Sequence, residues 1–113
     1  GVKFSLANFK NGSSLAIMID QRVSEGLDVK FFGEKAFTTT IPAQFVKKFN
    51  CKVQPVYIQR SKNHYFNIVF DEPISFEKNE TTEDITSKLN LWLENKISLN
   101  PDQWIWTHNR WKH

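Results

Sequence analysis

Polar side chains that can bind a hydroxylated or charged ligand follow the apolar runs of this 113-residue chain. Asp20, Gln21 and Arg22 come directly after the apolar run at residues 15–19, and Arg60 ends a second apolar segment. A carboxylate, an amide and guanidinium groups can together hold the hydroxyl and phosphate groups of a ligand. Because ligands of open α/β sheets bind beyond the carboxyl ends of the strands, we expect a binding site here. The alternatives are a solvated turn for residues 20–22 and a salt bridge for Arg60, and for Arg60 the salt bridge is the interpretation that the sequence favours.

A second group of candidate ligand-binding residues precedes a predicted helix. Thr38, Thr39 and Thr40 offer hydroxyl groups beside a helix N-terminus, where backbone N–H groups attract anions. The same hydroxyl groups can instead cap the helix, and this second interpretation is the one that the sequence favours.

The strands that must position these side chains are predicted from short apolar segments. The unbroken apolar run at residues 15–19 is typical of a strand buried on both faces. Residues 29–32 predict a short extended segment that ends at Gly33. Residues 53–60 and 65–70 predict two strands joined as an antiparallel hairpin, since their linker is short.

The helices are predicted from caps and apolar spacing. A first helix is expected at residues 2–9, a second begins after Thr40, and the capping-box residues Thr81 and Asp84 begin a long amphipathic helix. With the strands, this order predicts an α/β fold with a mixed sheet flanked by helices, formed by residues 1–113 as a single domain.

Composition restricts the possible functions without choosing one. The net charge of +3 and the isoelectric point near 9.1 suit acidic partners, including anionic lipid, an acidic protein or nucleic acid. Cys51 is the one cysteine, so no internal disulfide forms and a reducing compartment is expected. The sequence has no zinc-binding spacing and no phosphate-binding glycine motif, so we expect neither a metal nor an organic cofactor.

The C-terminal stretch holds three of the four tryptophans, beside His108 and Arg110. Pro101 suits a first helical position and Gln103 can reach back as in a capping box, so the sequence predicts a helix over residues 101–112. On that helix Trp104, His108 and Trp111 would share one face. We therefore expect an ordered, docked terminus.

These residues also carry a family resemblance. The run Pro-Asp-Gln-Trp-Ile-Trp-Thr-His-Asn-Arg-Trp-Lys at residues 101–112 resembles the C-terminal signature of bacterial lipid A biosynthesis acyltransferases, the lauroyl and myristoyl transferases. Asp20-Gln21 with the Val-Lys-Phe-Phe-Gly segment at residues 29–33 and the Thr-rich segment at 38–43 resembles a second family region. Residues 53–60 and 66–73 resemble a third. The resemblance implies a partial glycerolipid-acyltransferase-like fold.

The catalytic base of this family lies in an H-x4-D/E motif, which the sequence lacks. Val69 stands five positions after His64 and His113 stands five positions after His108, while His113 ends the chain. In the family the motif lies upstream of the matched region. We therefore expect this chain to be the C-terminal portion of a larger acyltransferase, with no catalytic residue of its own and no activity alone.

The resemblance also implies substrates, partners and a location. The parent enzyme would move a fatty acyl chain from an acyl carrier protein thioester to a hydroxyl of a lipid A precursor. It would do so at the cytoplasmic face of a bacterial inner membrane, through an anchor absent from this chain. The substrate-binding residues are expected to be Asp20, Gln21, Arg22, Thr39, Arg60 and Arg110. Arg110 and the tryptophans would also meet the membrane surface.

Two other functions compete with this interpretation. A small basic module rich in aromatic residues can bind single-stranded nucleic acid by stacking bases on tryptophans beside cations. The aromatic residues here have helix-core spacing and no compact stripe of Lys and Arg is present, so we expect no nucleic acid partner. A non-catalytic paralogue of the acyltransferases is the third possibility, and the upstream coding sequence would distinguish it.

Overall fold

The computed structural model describes residue 12, residues 14–104 and residues 109–111, and the predicted N-terminal helix lies outside them. Within this range the chain forms four strands and two α-helices. These are β1 (Leu27–Phe31), β2 (Glu34–Thr38), α1 (Ile41–Phe49), β3 (Val56–Arg60), β4 (Phe66–Phe70) and α2 (Thr82–Leu99). Single 3-10 turns cover Lys62–His64 and Pro101–Gln103. The α/β fold class predicted from the sequence is confirmed.

The strands form two separate antiparallel hairpins. β1 and β2, of which β2 was not predicted from the sequence, are joined through Phe32 and Gly33, whose φ angles are 52° and 82°. Positive φ at both central residues gives a turn whose twist matches that of the strands. The predicted hairpin of β3 and β4 is confirmed, and one further bridge between Val53 and Ile74 extends it.

The predicted strand at residues 15–19 is wrong. These residues carry no strand pairing in the part of the chain that the structure describes. Ile17 and Ile19 are half-buried, whereas Met18 is 77% exposed. An apolar run predicts burial, but a strand also needs a neighbouring backbone to complete its hydrogen bonds, and the run does not specify that neighbour.

The two α-helices begin where the sequence predicts. The Thr81 hydroxyl accepts the Asp84 N–H at 3.1 Å and the Asp84 carboxylate accepts the Thr81 N–H at 3.1 Å, which completes the capping box of α2. Thr40 is the N-cap of α1, but its hydroxyl accepts a hydrogen bond from the Gln44 side chain at 2.7 Å. Pro42 occupies the first turn of α1, where a missing N–H costs nothing.

Helix α2 is the centre of the core, because both groups of buried side chains contact it. One group joins α2 to the β1–β2 hairpin and the other joins α2 to α1. The apolar spacing of α2 predicts a stripe of Ile85, Leu89, Trp92 or Leu93, and Ile97, and the structure buries Ile85, Leu89, Leu93 and Ile97. Ile19 packs against both groups, so the segment before Asp20 is held against the helix that carries the fold.

The predicted helix over residues 101–112 is wrong in its described part. The 3-10 turn Pro101–Gln103 ends at Trp104, whose φ of −94° and ψ of 147° are extended. The side chain of Gln103 does not complete a capping box, because its amide hydrogen-bonds to the backbone of Arg60. Trp106 and His108 lie outside the described residues.

The C-terminal segment is nevertheless docked, as predicted. Trp104 and Trp111 pack against Phe31 with ring centroids 5.8 and 5.5 Å away, and the Trp111 indole N–H donates to the Phe31 carbonyl at 3.0 Å. The two tryptophans are half-buried. No helix within the described residues is long and apolar enough to cross a membrane.

Candidate binding cleft

A cleft of about 360 Å³ separates residues 17–20 from strand β3 and the C-terminal half of α2. This volume is within the range of small-ligand sites, which is about 300–1,000 Å³. The apolar lining residues include Ile17, Ile19, Val56, Ile58, Leu93 and Ile97. The polar lining residues include Asp20, Gln59, Lys96 and Gln103. An apolar wall with a few polar groups suits a ligand that has a long apolar part and a polar end.

Of the three residues predicted after the first apolar run, one lines the cleft. Asp20 is half-buried and forms part of the wall. Gln21 is exposed and Arg22 is half-buried, and neither lines the cleft. The structure therefore places the carboxylate of Asp20 at the cleft and the two following side chains outside it.

Arg110 lies in the interior, with 0% of its surface exposed. Its guanidinium donates to the Phe37 carbonyl at 2.5 Å and to the Thr38 hydroxyl at 3.0 Å, and it lies 5.1 Å from the centroid of the Phe31 ring. These contacts join the C-terminal segment to the β1–β2 hairpin. No surface of Arg110 is open to a ligand, so we assign it a structural role and omit it from the proposed site.

The Thr38 hydroxyl is the hub of this buried polar cluster. It donates to the Ala36 carbonyl at 3.1 Å and accepts from the Asn90 amide at 3.1 Å as well as from Arg110. One donor and two acceptor positions are all that a hydroxyl offers, so Thr38 is saturated. The Arg110 Nε and the Asn90 Oδ1 are buried without a hydrogen-bond partner in the described structure.

Electrostatics connects this cluster to the cleft. Burial lowers the pKa of the Arg110 guanidinium, because desolvation disfavours its charged form. The negative charge of Asp20 opposes that shift of the Arg110 pKa. The carboxylate that lines the cleft thus interacts with the cation that fixes the C-terminal segment.

The two remaining predicted site residues lie elsewhere. Thr39 is 9% exposed, and its hydroxyl accepts the Ile41 N–H at 3.4 Å in the turn before α1, whose N-cap Thr40 makes no capping hydrogen bond with its side chain. Arg60 is exposed at the end of β3 and lines a second, open hollow at the hairpin tip, together with His64 and Asp102. The structure therefore does not bring Thr39 or Arg60 to the cleft.

A charged cluster that the sequence did not predict lies beside the cleft. The Asp71 carboxylate accepts the Trp92 indole N–H at 2.8 Å and pairs with Lys96 at 3.0 Å. The Lys96 ammonium also lies 4.7 Å from the centroid of the Tyr57 ring. The hydrogen bond from Trp92 is the largest cause that lowers the pKa of Asp71, and the hydrogen bond from Lys96 is the second.

Two signals in the sequence pointed to these missed clusters. Asn90 falls among the buried positions of α2, and a polar residue there needs a buried hydrogen-bond partner. Trp92 and Lys96 are four residues apart in α2 and therefore share a face, which lets both reach one carboxylate. Neither signal identifies the partner residues, Thr38 and Asp71, which come from distant parts of the chain.

The cysteine and the histidines are placed away from the cleft or lie outside the described residues. His64 is exposed at the hairpin tip and does not line the cleft, and His108 and His113 are outside the described residues. Cys51 is half-buried, and this burial raises the pKa of its thiol. A raised pKa keeps a thiol protonated and unreactive. Among the described residues, the cleft is therefore lined by neither a histidine nor a cysteine.

Comparison with known proteins adds one match. The sequence model of the family described as bacterial lipid A biosynthesis acyltransferase matches residues 2–113 of this chain. A search of curated proteins finds no match. The matched span includes every strand and helix described above and all residues of the cleft.

Proposed function

Because the chain belongs to the bacterial lipid A biosynthesis acyltransferase family, we propose that it forms the substrate-binding, C-terminal portion of an enzyme that acylates a lipid A precursor. In this proposal the acyl donor is an acyl carrier protein thioester. The reaction takes place at the cytoplasmic face of a bacterial inner membrane, whose surface is a further partner.

The apolar cleft with Asp20 in its wall is the observation that carries the proposal. Its aliphatic side chains match the hydrocarbon part of a fatty acyl group, since burying apolar surface is favourable in proportion to the area removed from water. The Asp20 carboxylate accepts hydrogen bonds from hydroxyl groups of the sugar. Gln21 and Arg22, in the next two positions, contact the phosphate or sugar groups that extend beyond the cleft.

The proposed chemistry needs a base, and the 113-residue sequence contains no H-x4-D/E pair. A histidine of an H-x4-D/E pair, upstream in the parent enzyme, removes the proton of the acceptor hydroxyl. The oxygen attacks the thioester carbonyl, an ester forms, and the carrier thiolate leaves with the proton that the histidine held. No metal or organic cofactor takes part in these steps.

The test is an acyl transfer assay of the parent enzyme with acyl carrier protein thioester and a lipid A precursor. Asp20→Asn should lower kcat/KM by roughly tenfold or more, because the transition state loses a charged hydrogen-bond acceptor. Glu25→Gln is the matched control, since Glu25 is exposed and does not line the cleft. Equal activity of Asp20→Asn and Glu25→Gln would contradict the assignment of the cleft.

A further inference from the structure

The β3–β4 hairpin presents one face to solvent. In an antiparallel pair, directly opposed side chains lie on the same face of the sheet. Three opposed pairs form this face: Val56 with Phe70, Ile58 with Ile68, and Arg60 with Phe66. We call the five apolar members of these pairs the hairpin face. All five are exposed, from 42% for Val56 to 68% for Phe70, and two of them, Val56 and Ile58, also line the cleft.

The opposite face of the same hairpin contacts α2. Tyr57 packs against Trp92 of α2, with their ring centroids 6.3 Å apart, and Val69, which is opposed to Tyr57, is half-buried. That side also carries the polar pair Gln59 and Asn67, whereas the hairpin face is apolar apart from Arg60. A contiguous exposed apolar surface of this kind marks an interaction site in a soluble domain.

The charged side chains of the hairpin itself have one sign. The hairpin strands and their connection, residues 56–70, contain Arg60, Lys62 and His64 but no Asp or Glu. All three basic residues are exposed at the tip, next to Tyr65, which is 69% exposed. One acidic residue, Asp102, lines the hollow at the tip beside Arg60.

We propose that the hairpin face lies against an anionic membrane surface. The five apolar side chains enter the boundary between headgroups and acyl chains, and Arg60 and Lys62 contact lipid phosphates. Tyr65 and Phe66 lie at the level where aromatic side chains favour the interface. This inference rests on the membrane partner of the proposed function and names the part of the chain that meets it.

The charge of the tip favours lipid over a second copy of this chain. An anionic headgroup supplies the negative charge that Arg60 and Lys62 lack within the hairpin, and each such cation adds attraction close to an anionic surface. Two hairpin faces packed together would instead bring only these cations and apolar side chains to the contact. Self-association is therefore the competing outcome of the test.

The experiment is co-sedimentation of the 113-residue chain with vesicles of phosphatidylglycerol and phosphatidylethanolamine, compared with vesicles of phosphatidylcholine alone. We expect the chain to bind the anionic vesicles and to be released by salt, since screening weakens the attraction. The variant Ile58→Ser/Ile68→Ser should reduce this binding roughly tenfold or more. The matched control is Leu91→Ser/Leu99→Ser, which removes two exposed apolar side chains of α2 and should leave binding unchanged.

A second pair of variants tests the charge. Arg60→Gln/Lys62→Gln should weaken binding to anionic vesicles and remove most of its salt dependence, whereas Lys35→Gln/Lys52→Gln removes two exposed cations elsewhere and should have a smaller effect. Circular dichroism checks that each variant is folded.

Three results would overturn the inference. Binding of the Ile58→Ser/Ile68→Ser variant equal to that of the unaltered chain would show that another surface meets the lipid. A concentration-dependent dimer in sedimentation velocity, lost in the same variant, would assign the hairpin face to a second copy. Failure of the unaltered chain to bind anionic vesicles would remove the membrane partner itself. Because Ile58 also lines the cleft, acyl transfer is tested separately, with the Asp20→Asn variant of the parent enzyme.

Discussion

At the scale of single residues, one hydroxyl group joins three parts of the chain. Thr38 connects the end of β2 to α2 through Asn90 and to the C-terminal segment through Arg110. The replacement Thr38→Val keeps the shape of the side chain and removes the hydroxyl, so an amide and a guanidinium lose a buried acceptor. We expect the free energy of unfolding to fall by about 2–3 kcal/mol, since buried polar groups left without partners cost about 1–3 kcal/mol each.

Urea denaturation of the purified chain measures this change. The neighbouring Thr39 provides the control, because its hydroxyl accepts a single bond of 3.4 Å and Thr39→Val should cost far less. Similar losses for the two variants would show that the cluster around Thr38 does not contribute as described.

At the scale of elements, Asp71 ties the end of the β3–β4 hairpin to α2. The hydrogen bonds from Trp92 and Lys96 lower the pKa of Asp71 in the folded chain below its value in the unfolded chain. The stabilisation is therefore fully present above the unfolded-state pKa and is lost as the pH falls through the folded-state pKa. Asp71→Asn keeps an acceptor for Trp92 but removes the charge that faces Lys96.

We expect Asp71→Asn to lower the melting temperature at neutral pH, with the difference from the unaltered chain closing as the pH falls from about 5 to about 2. Thermal unfolding followed by circular dichroism across this range measures it. Glu72→Gln, which alters the adjacent exposed carboxylate, should show no such convergence. A melting difference for Asp71→Asn that is constant with pH would rule out the charge as its cause.

Elements with local signals could be predicted from the sequence, and elements that depend on distant partners could not. The capping box at Thr81 and the apolar spacing of α2 act within a few residues, and both were predicted correctly. Gln103 has the same local signal at residue 101, but its amide finds Arg60, 43 residues away, and the predicted helix does not form. In the same way, Arg110 was expected to bind substrate because of its residue type, but its guanidinium donates to the Thr38 hydroxyl, 72 residues away.

At the scale of the whole molecule, the chain has a candidate binding cleft with no histidine beside it among the described residues. We expect the 113-residue chain alone to transfer no acyl group, because general base catalysis needs a base within hydrogen-bond reach of the acceptor hydroxyl. The measurement compares this chain with the longer gene product, using acyl carrier protein thioester and a lipid A precursor. The longer product should be active.

Two outcomes of that comparison would change the proposal. Transfer by the 113-residue chain that is abolished by His108→Ala would place the base within this sequence. Transfer by neither protein would favour the non-catalytic paralogue.

The amide of Gln103 has a consequence for how the protein avoids aggregation. Ser61 donates to Tyr65 and Asp71 donates to Pro55, so the backbone groups of Val56, Ile58 and Arg60 turn away from β4, towards the outer edge of β3. An outer edge of this kind can recruit a strand from another molecule and begin a fibre. Gln103 occupies both the N–H and the carbonyl of Arg60, at 2.8 and 3.2 Å, much as an added strand would. Val56 and Ile58 then remain on this outer edge, and a row of two residues is shorter than the strands that usually pair in proteins.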